Sequence, residues 1–255
     1  MKSAILLLSA SCFLGAASAF GATIFSDDFE SLAAWTTTGS NSMVVSTAQN
    51  RGPGGTASAL SDTTADRMHN NLNTEVGGAS IFTFSLYYNG TAMPRTFAEV
   101  RGYSATGLPD GGNIADGGLQ QLFAAGVYNS VTMSGETYDS NYFQARLTFG
   151  STAGWFNLKG GSSPTRSIGW HDFAIERLAD GTSINFYVDG ILSRSFTGAT
   201  ASDWDTVIIG SALGTASGTT YFDNLSVVTV PEAGSTALLA GAALLGLRRR
   251  RRSSH

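Results

Sequence analysis

Apolar and polar residues alternate along most of this chain, and that alternation predicts strands. In the segment IFTFSLYYN, Phe82, Phe84, Leu86 and Tyr88 fall on one face; in YFQARLTF, Phe143, Ala145, Leu147 and Phe149 do the same. The segments HDFAIERL and SINFYV flank an Ala-Asp-Gly turn at 179–181, and a second turn follows at Asp189-Gly190. Together they predict a three-strand meander from about Asp172 to Phe196. Thirty-one glycines fit a chain with many tight turns. No sustained helical period appears outside the termini, and no repeat of fixed length. Roughly ten or more strands between residues 20 and 230, without a linker or composition break, predict one all-β domain of two antiparallel sheets packed as a sandwich.

The two ends read differently. Lys2, an apolar stretch from Ala4 to Leu14 and the small residues Ala17-Ser18-Ala19 form the pattern of a secretory signal peptide over residues 1–19, with Ala17 and Ala19 at the cleavage site. Cys12, the single cysteine, would leave with it, so the mature chain would carry no thiol and no disulfide. At the other end Gly234 to Leu247 holds no charge and Arg248, Arg249, Arg250, Arg251 and Arg252 follow directly. A helix over that apolar run reaches only about 21 Å, against a hydrocarbon core of about 30 Å. The expectation is a short transmembrane helix whose arginines snorkel on the cytoplasmic side, with the rest of the chain outside.

Charge narrows the partners. Residues 20–230 carry nine basic and eighteen acidic side chains, a net charge of 9 − 18 = −9, which the whole-chain value of −4 conceals. Such a domain is a poor partner for nucleic acid or anionic lipid heads. Catalytic signatures are missing too. There is no Gly-x-Ser-x-Gly elbow, and His69, His171 and His255 never pair at metal-ligand spacing. The run Gly52-Pro53-Gly54-Gly55-Thr56-Ala57 lacks a strand-helix context and reads as a loop, and His171, beside Trp170, reads as a packing residue. Sugar binding needs aromatic faces beside polar groups. Trp155, in AGWFNLKGG, and Tyr103, beside a glycine-rich loop, are the candidates, whereas Trp170 and Trp204 open apolar strands and read as core.

Two resemblances extend this reading. The order Val230, Pro231, Glu232, short apolar helix and terminal arginine cluster resembles the PEP-CTERM sorting tails of Gram-negative bacteria, with Ala233 where the family usually has a second proline. That resemblance implies a sorting tail over 231–255, an exosortase-type membrane protease and the secretion machinery as partners, and export by way of a transient inner-membrane anchor to the cell surface or extracellular matrix. Association with extracellular polysaccharide is implied as well.

The segment GWHDFAIERLADGTSINFYVDGIL followed by VIIGSALGTASGTTYFDNLSVV, with FSDDFES and Trp35 near the start, resembles concanavalin A-like (laminin-G-like) jelly rolls. Such domains often hold a structural calcium ion where the first and last strands lie side by side, which implies Asp28 and Asp223 as ligands. A second oxygen-rich loop, Asp110 to Asp116, lacks the spacing of an EF-hand. Laminarinase-type enzymes on this fold use a Glu-x-Asp-x-x-Glu strand, and none of the six glutamates here has an aspartate two residues later. The expectation is a non-catalytic domain that requires no cofactor and binds polysaccharide. The alternatives are a structural or adhesion protein of the matrix, and a divergent glycosidase or polysaccharide lyase.

Overall fold

The computed structural model describes residues 21–231, apart from 39–40, 53–54, 63–65, 91–94, 104–117, 129–131, 199–201 and 211–218. The signal-peptide residues, Glu232 and the arginine tail, and the loop at 110–116 lie outside the described residues. Among the described residues no helix is long and apolar enough to cross a membrane.

The described residues form fifteen strands in chain order: β1 (Thr23–Asp27), β2 (Thr36–Thr37), β3 (Val44–Ser46), β4 (Ser58–Ser61) and β5 (Arg67–Val76). Next come β6 (Ser80–Tyr88), β7 (Thr96–Tyr103), β8 (Leu119–Val127), β9 (Gln144–Phe149) and β10 (Thr152–Asn157). The last are β11 (Gly169–Arg177), β12 (Ser183–Val188), β13 (Ile191–Thr197), β14 (Trp204–Gly210) and β15 (Thr220–Thr229). All strand pairs are antiparallel. The first sheet has the order β13-β12-β11-β6-β15-β4-β3, with β1 also on β15; the second has the order β10-β9-β8-β7-β14-β5-β2.

The expected alternation is what packs the two sheets together. Phe82, Phe84 and Leu86 of the first sheet are fully buried, as are Ala145, Leu147 and Phe149 of the second. Phe143, just before β9, meets Phe173 of β11 edge to face at 5.0 Å, and Phe84 stacks on Phe173 at 4.9 Å. At about 1.5–3 kcal/mol per buried large side chain, this ring-filled layer is the main stabilising term. The predicted meander is β11-β12-β13, and both residues of its second turn, Asp189 and Gly190, have positive φ, as a tight two-residue hairpin turn requires.

Arg177 closes one end of the core. It is buried, its Nε and Nη1 donate to the carbonyls of Gly78 (2.6 Å) and Ser202 (2.8 Å), and its Nη2 donates to that of Val76. Its guanidinium lies 4.9 Å from the centre of the Trp204 ring. At β15 a register shift between Asp223 and Ser226 divides the strand's edge: its first residues pair with β4, and its later ones with β1.

Candidate functional site

Because Phe82, Phe84 and Leu86 point inward, their neighbours Thr83, Ser85 and Tyr87 must point out. The same holds on β11, where Phe173 and Ile175 are core and Trp170, Asp172, Ala174 and Glu176 face outward. Cross-strand register then builds rows. Trp170 pairs with Tyr87, Tyr87 with Tyr221, Tyr221 with Leu60, and Leu60 with Val44, so an aromatic and apolar row crosses five strands of the first sheet. Tyr87 meets Trp170 at 5.6 Å and Tyr221 at 5.8 Å, edge-on to both. Trp170 and Tyr87 are half-buried, while Tyr221 is nearly covered.

The next row along the strands is polar. Arg51 forks onto Asp172 (Nε to Oδ1 3.2 Å, Nη2 to Oδ2 2.7 Å), and Ser85 donates to the same carboxylate at 2.7 Å. The hydrogen bond from Arg51 lowers the pKa of Asp172 below its ordinary value, against the opposing effect of burial, and the bond from Ser85 adds to the lowering. Further on, the Tyr187 hydroxyl and the Asn185 amide donate to Glu176 Oε2 at 2.7 and 3.1 Å. Arg51, Ser85, Asp172, Glu176 and Tyr187 line an open groove of about 790 Å³. Its two carboxylates, Asp172 and Glu176, sit four residues apart on one strand, about 13 Å at strand rise. Glycosidase pairs need about 5–9.5 Å, so the pair does not form such a centre.

A second hollow, of about 630 Å³, is lined by Asp27, Asp28, Glu30 and Asn224 where β1 meets β15. Asp28 lies within electrostatic reach of Asp223. Burial raises the pKa of Asp223, and the charges of Asp28 and Glu30 raise it further against the pull of two backbone amides. Those amides, of Arg51 and Asn224, each donate to one oxygen of Asp223 at 2.8 Å. Both oxygens are thus engaged by the backbone, and among the described residues no three acidic or histidine side chains are placed to hold a metal.

The sequence-based sugar candidates lie on the outer face of the other sheet. Trp155 is half-buried, and its ring is stacked on Tyr128 at 3.7 Å and 4°, with the edge of Phe97 at 5.3 Å and the Arg146 guanidinium at 5.7 Å. Tyr103 is a correction: it is only 5% exposed, because alternation along β7 sets it beside Arg101, whose Nη1 donates to its hydroxyl at 3.0 Å. Trp170 is the opposite correction, outward where core was expected; Trp204 is core, as expected. His171 is a packing residue as read, 4.8 Å from the Phe143 ring, its two nitrogens in contact with Asp189 Oδ2 and the Ser167 carbonyl. Val230 and Pro231 follow directly on β15, where the Val230 amide donates to the Ala79 carbonyl at 2.8 Å. The outward row was missed although its signal was present, since the alternation that buries Phe84 and Phe173 exposes Tyr87 and Trp170.

No family model matches the chain, and no curated protein matches it. Solved structures do. A carbohydrate esterase of the Shiga toxin-encoding bacteriophage phi24B superposes with a TM-score of 0.53 at 15% identity, over 83% of this chain and 100% of its own. The receptor-binding domain of botulinum neurotoxin C/D mosaic serotype superposes with a TM-score of 0.50 at 9% identity, over 86% of this chain and 51% of that one. At such identities the likeness is one of fold: a two-sheet antiparallel β-sandwich.

Proposed function

We propose that this chain is an exported, non-catalytic jelly-roll protein of the concanavalin A-like type that binds polysaccharide on the outer face of its first sheet. A PEP-CTERM tail, handed on by the secretion machinery and processed by an exosortase-type protease, directs it to the cell surface or matrix. The observation that carries the binding reading is the row Trp170–Tyr87–Tyr221 set beside a groove of hydroxyl, amide, carboxylate and guanidinium groups. Apolar faces of pyranose rings pack on aromatic rings, while Asp172, Ser85, Arg51 and Glu176 offer acceptors and donors to hydroxyls. The separation of Asp172 from Glu176 supports binding over hydrolysis.

The test is a glycan array and pull-down of the purified protein against bacterial and algal polysaccharides, with and without calcium. Saturable binding is expected, lost at least roughly tenfold in Trp170→Ala, as removal of a stacking ring worth about 1.4 kcal/mol or more implies. A folded protein that binds no glycan would sink the reading. The structural or adhesion protein would then stand, in keeping with the exposed apolar residues Val44, Val45, Ile191 and Leu192 on the edge strands β3 and β13.

A further inference from the structure

The groove of the first sheet carries a charge that none of the described residues balances. On β11 the outward positions Trp170, Asp172, Ala174 and Glu176 follow one another at two-residue intervals, about 7 Å each at strand rise. Asp172 is neutralised by Arg51, so that pair adds no net charge. Glu176 differs. The Tyr187 hydroxyl and the Asn185 amide both donate to its Oε2, whereas among the described residues its Oε1 makes no hydrogen bond and the carboxylate no ion pair. Its partners are held in turn: the Asn185 amide lies 3.3 Å from the Tyr187 hydroxyl, and Asn185 Oδ1 accepts from Ser195 at 2.7 Å. Burial and the bond to Glu176 push the Tyr187 pKa up, so its hydroxyl stays a donor. Glu176 is therefore a half-buried anion, oriented through one oxygen and uncommitted at the other.

Building on polysaccharide binding at the first sheet, we propose that the polymer taken up there is an amino-sugar glycan, whose ammonium group docks on Glu176 Oε1. A compact ammonium with three donors suits a single uncommitted carboxylate oxygen, whereas a sugar hydroxyl would leave the charge in place. The site is open to such a chain: Asp172 is exposed, and Thr83, Ala174, Glu176 and Tyr187 are half-buried. Ala174 projects only a methyl group between the two carboxylates, which leaves floor for a ring. From Trp170 to Glu176 is about 20 Å along the strand, so several linked rings can stack at Trp170 and Tyr87 and reach Glu176 together. The field selects the same ligand. Arg51, Asp172 and Glu176 give the groove a net charge of 1 − 2 = −1, and beyond Asn224, which lines both hollows, stand Asp27, Asp28 and Glu30. Asp27 and Glu30 are spent on local hydrogen bonds, so they repel polyanions and attract cations without serving as ligands.

Isothermal titration of the purified protein at mildly acidic pH tests this with a glucosamine hexamer, its N-acetylated counterpart, cellohexaose and hexalysine. The glucosamine hexamer is expected to bind about tenfold tighter than the two uncharged sugars, as one charge-assisted hydrogen bond implies, and hexalysine far more weakly. Glu176→Gln keeps an oxygen for the Tyr187 hydroxyl and should bring the glucosamine hexamer down to the level of cellohexaose on the same variant. Trp170→Ala should weaken all three sugars alike. Equal affinity for charged and uncharged sugars, or a preference that survives Glu176→Gln, would overturn the proposal and leave polysaccharide binding at the first sheet standing. No affinity for any of the sugars would overturn both. Hexalysine bound as tightly as the glucosamine hexamer would reduce the groove to an indiscriminate cation site and overturn the proposal as well.

Discussion

Glu99→Gln isolates the centre of the cluster that Glu99 forms with Arg67 and Arg101. The wild-type carboxylate has no exposed surface and accepts charge-assisted hydrogen bonds from two arginines, with Arg101 Nη2 also 2.8 Å from Oε2. A glutamine there keeps the shape but turns two N–H bonds towards guanidinium donors and leaves the arginines without their counter-charge. Removing one partner of a buried pair costs about 3–5 kcal/mol. For a domain of this size that is a fall in Tm of roughly 10 °C. Burial by itself pushes the Glu99 pKa up, but Arg67 and Arg101 outweigh it and hold the group below its ordinary value. Its contribution is therefore complete above the ordinary glutamate pKa, about 4.3, and is lost as pH falls through the lower folded value. Thermal unfolding followed by near-UV circular dichroism should show a wide gap between wild type and Glu99→Gln at pH 7. The gap should narrow steadily below about pH 4, as the wild-type carboxyl becomes neutral. A Tm within about 2 °C of wild type at pH 7, or a gap that does not close in acid, would refute the reasoning.

Two further outcomes are expected. Arg177→Met keeps the contact with Trp204 but strands the three carbonyls that Arg177 satisfies, so urea unfolding should show a loss of about 3 kcal/mol or more; a loss below about 1 kcal/mol would mean that solvent reaches those carbonyls. Gly126 has φ +152°, and a Cβ there would collide with the Thr96 carbonyl and the Phe97 Cα. Gly126→Ala should therefore reduce the yield of folded protein, measured by size-exclusion chromatography, far more than Gly78→Ala, where φ is +65° and open space surrounds the added methyl.

What was legible in the sequence was local. Period-two alternation located the inner faces of β6 and β9, and Asp-Gly dipeptides located the turns of the meander, because both signals act within a few residues. The site was not local. The place of Trp170 at the head of an apolar strand suggests core, yet the inward set on that strand is His171, Phe173 and Ile175, so parity turns Trp170 outward. The glycines beside Tyr103 suggest exposure, while its burial follows from Arg101 and from the hydrogen bond its backbone N–H donates to Asp205 Oδ2, 102 residues away.

The divided edge of β15 has a consequence for the order of assembly. Thr23 pairs with Val228 and Ser61 with Thr220, so the earliest strand of the domain finds its partner only in the last one. Contacts of such sequence separation make for slow folding. A chain emerging from its N-terminus holds β1 and β4 with open edges until β15 arrives, and the sandwich then closes from both sides of one strand. Truncation before Thr220 would leave β1 without its partner and one edge each of β4 and β6 open at once, a product prone to self-association and not a shortened domain.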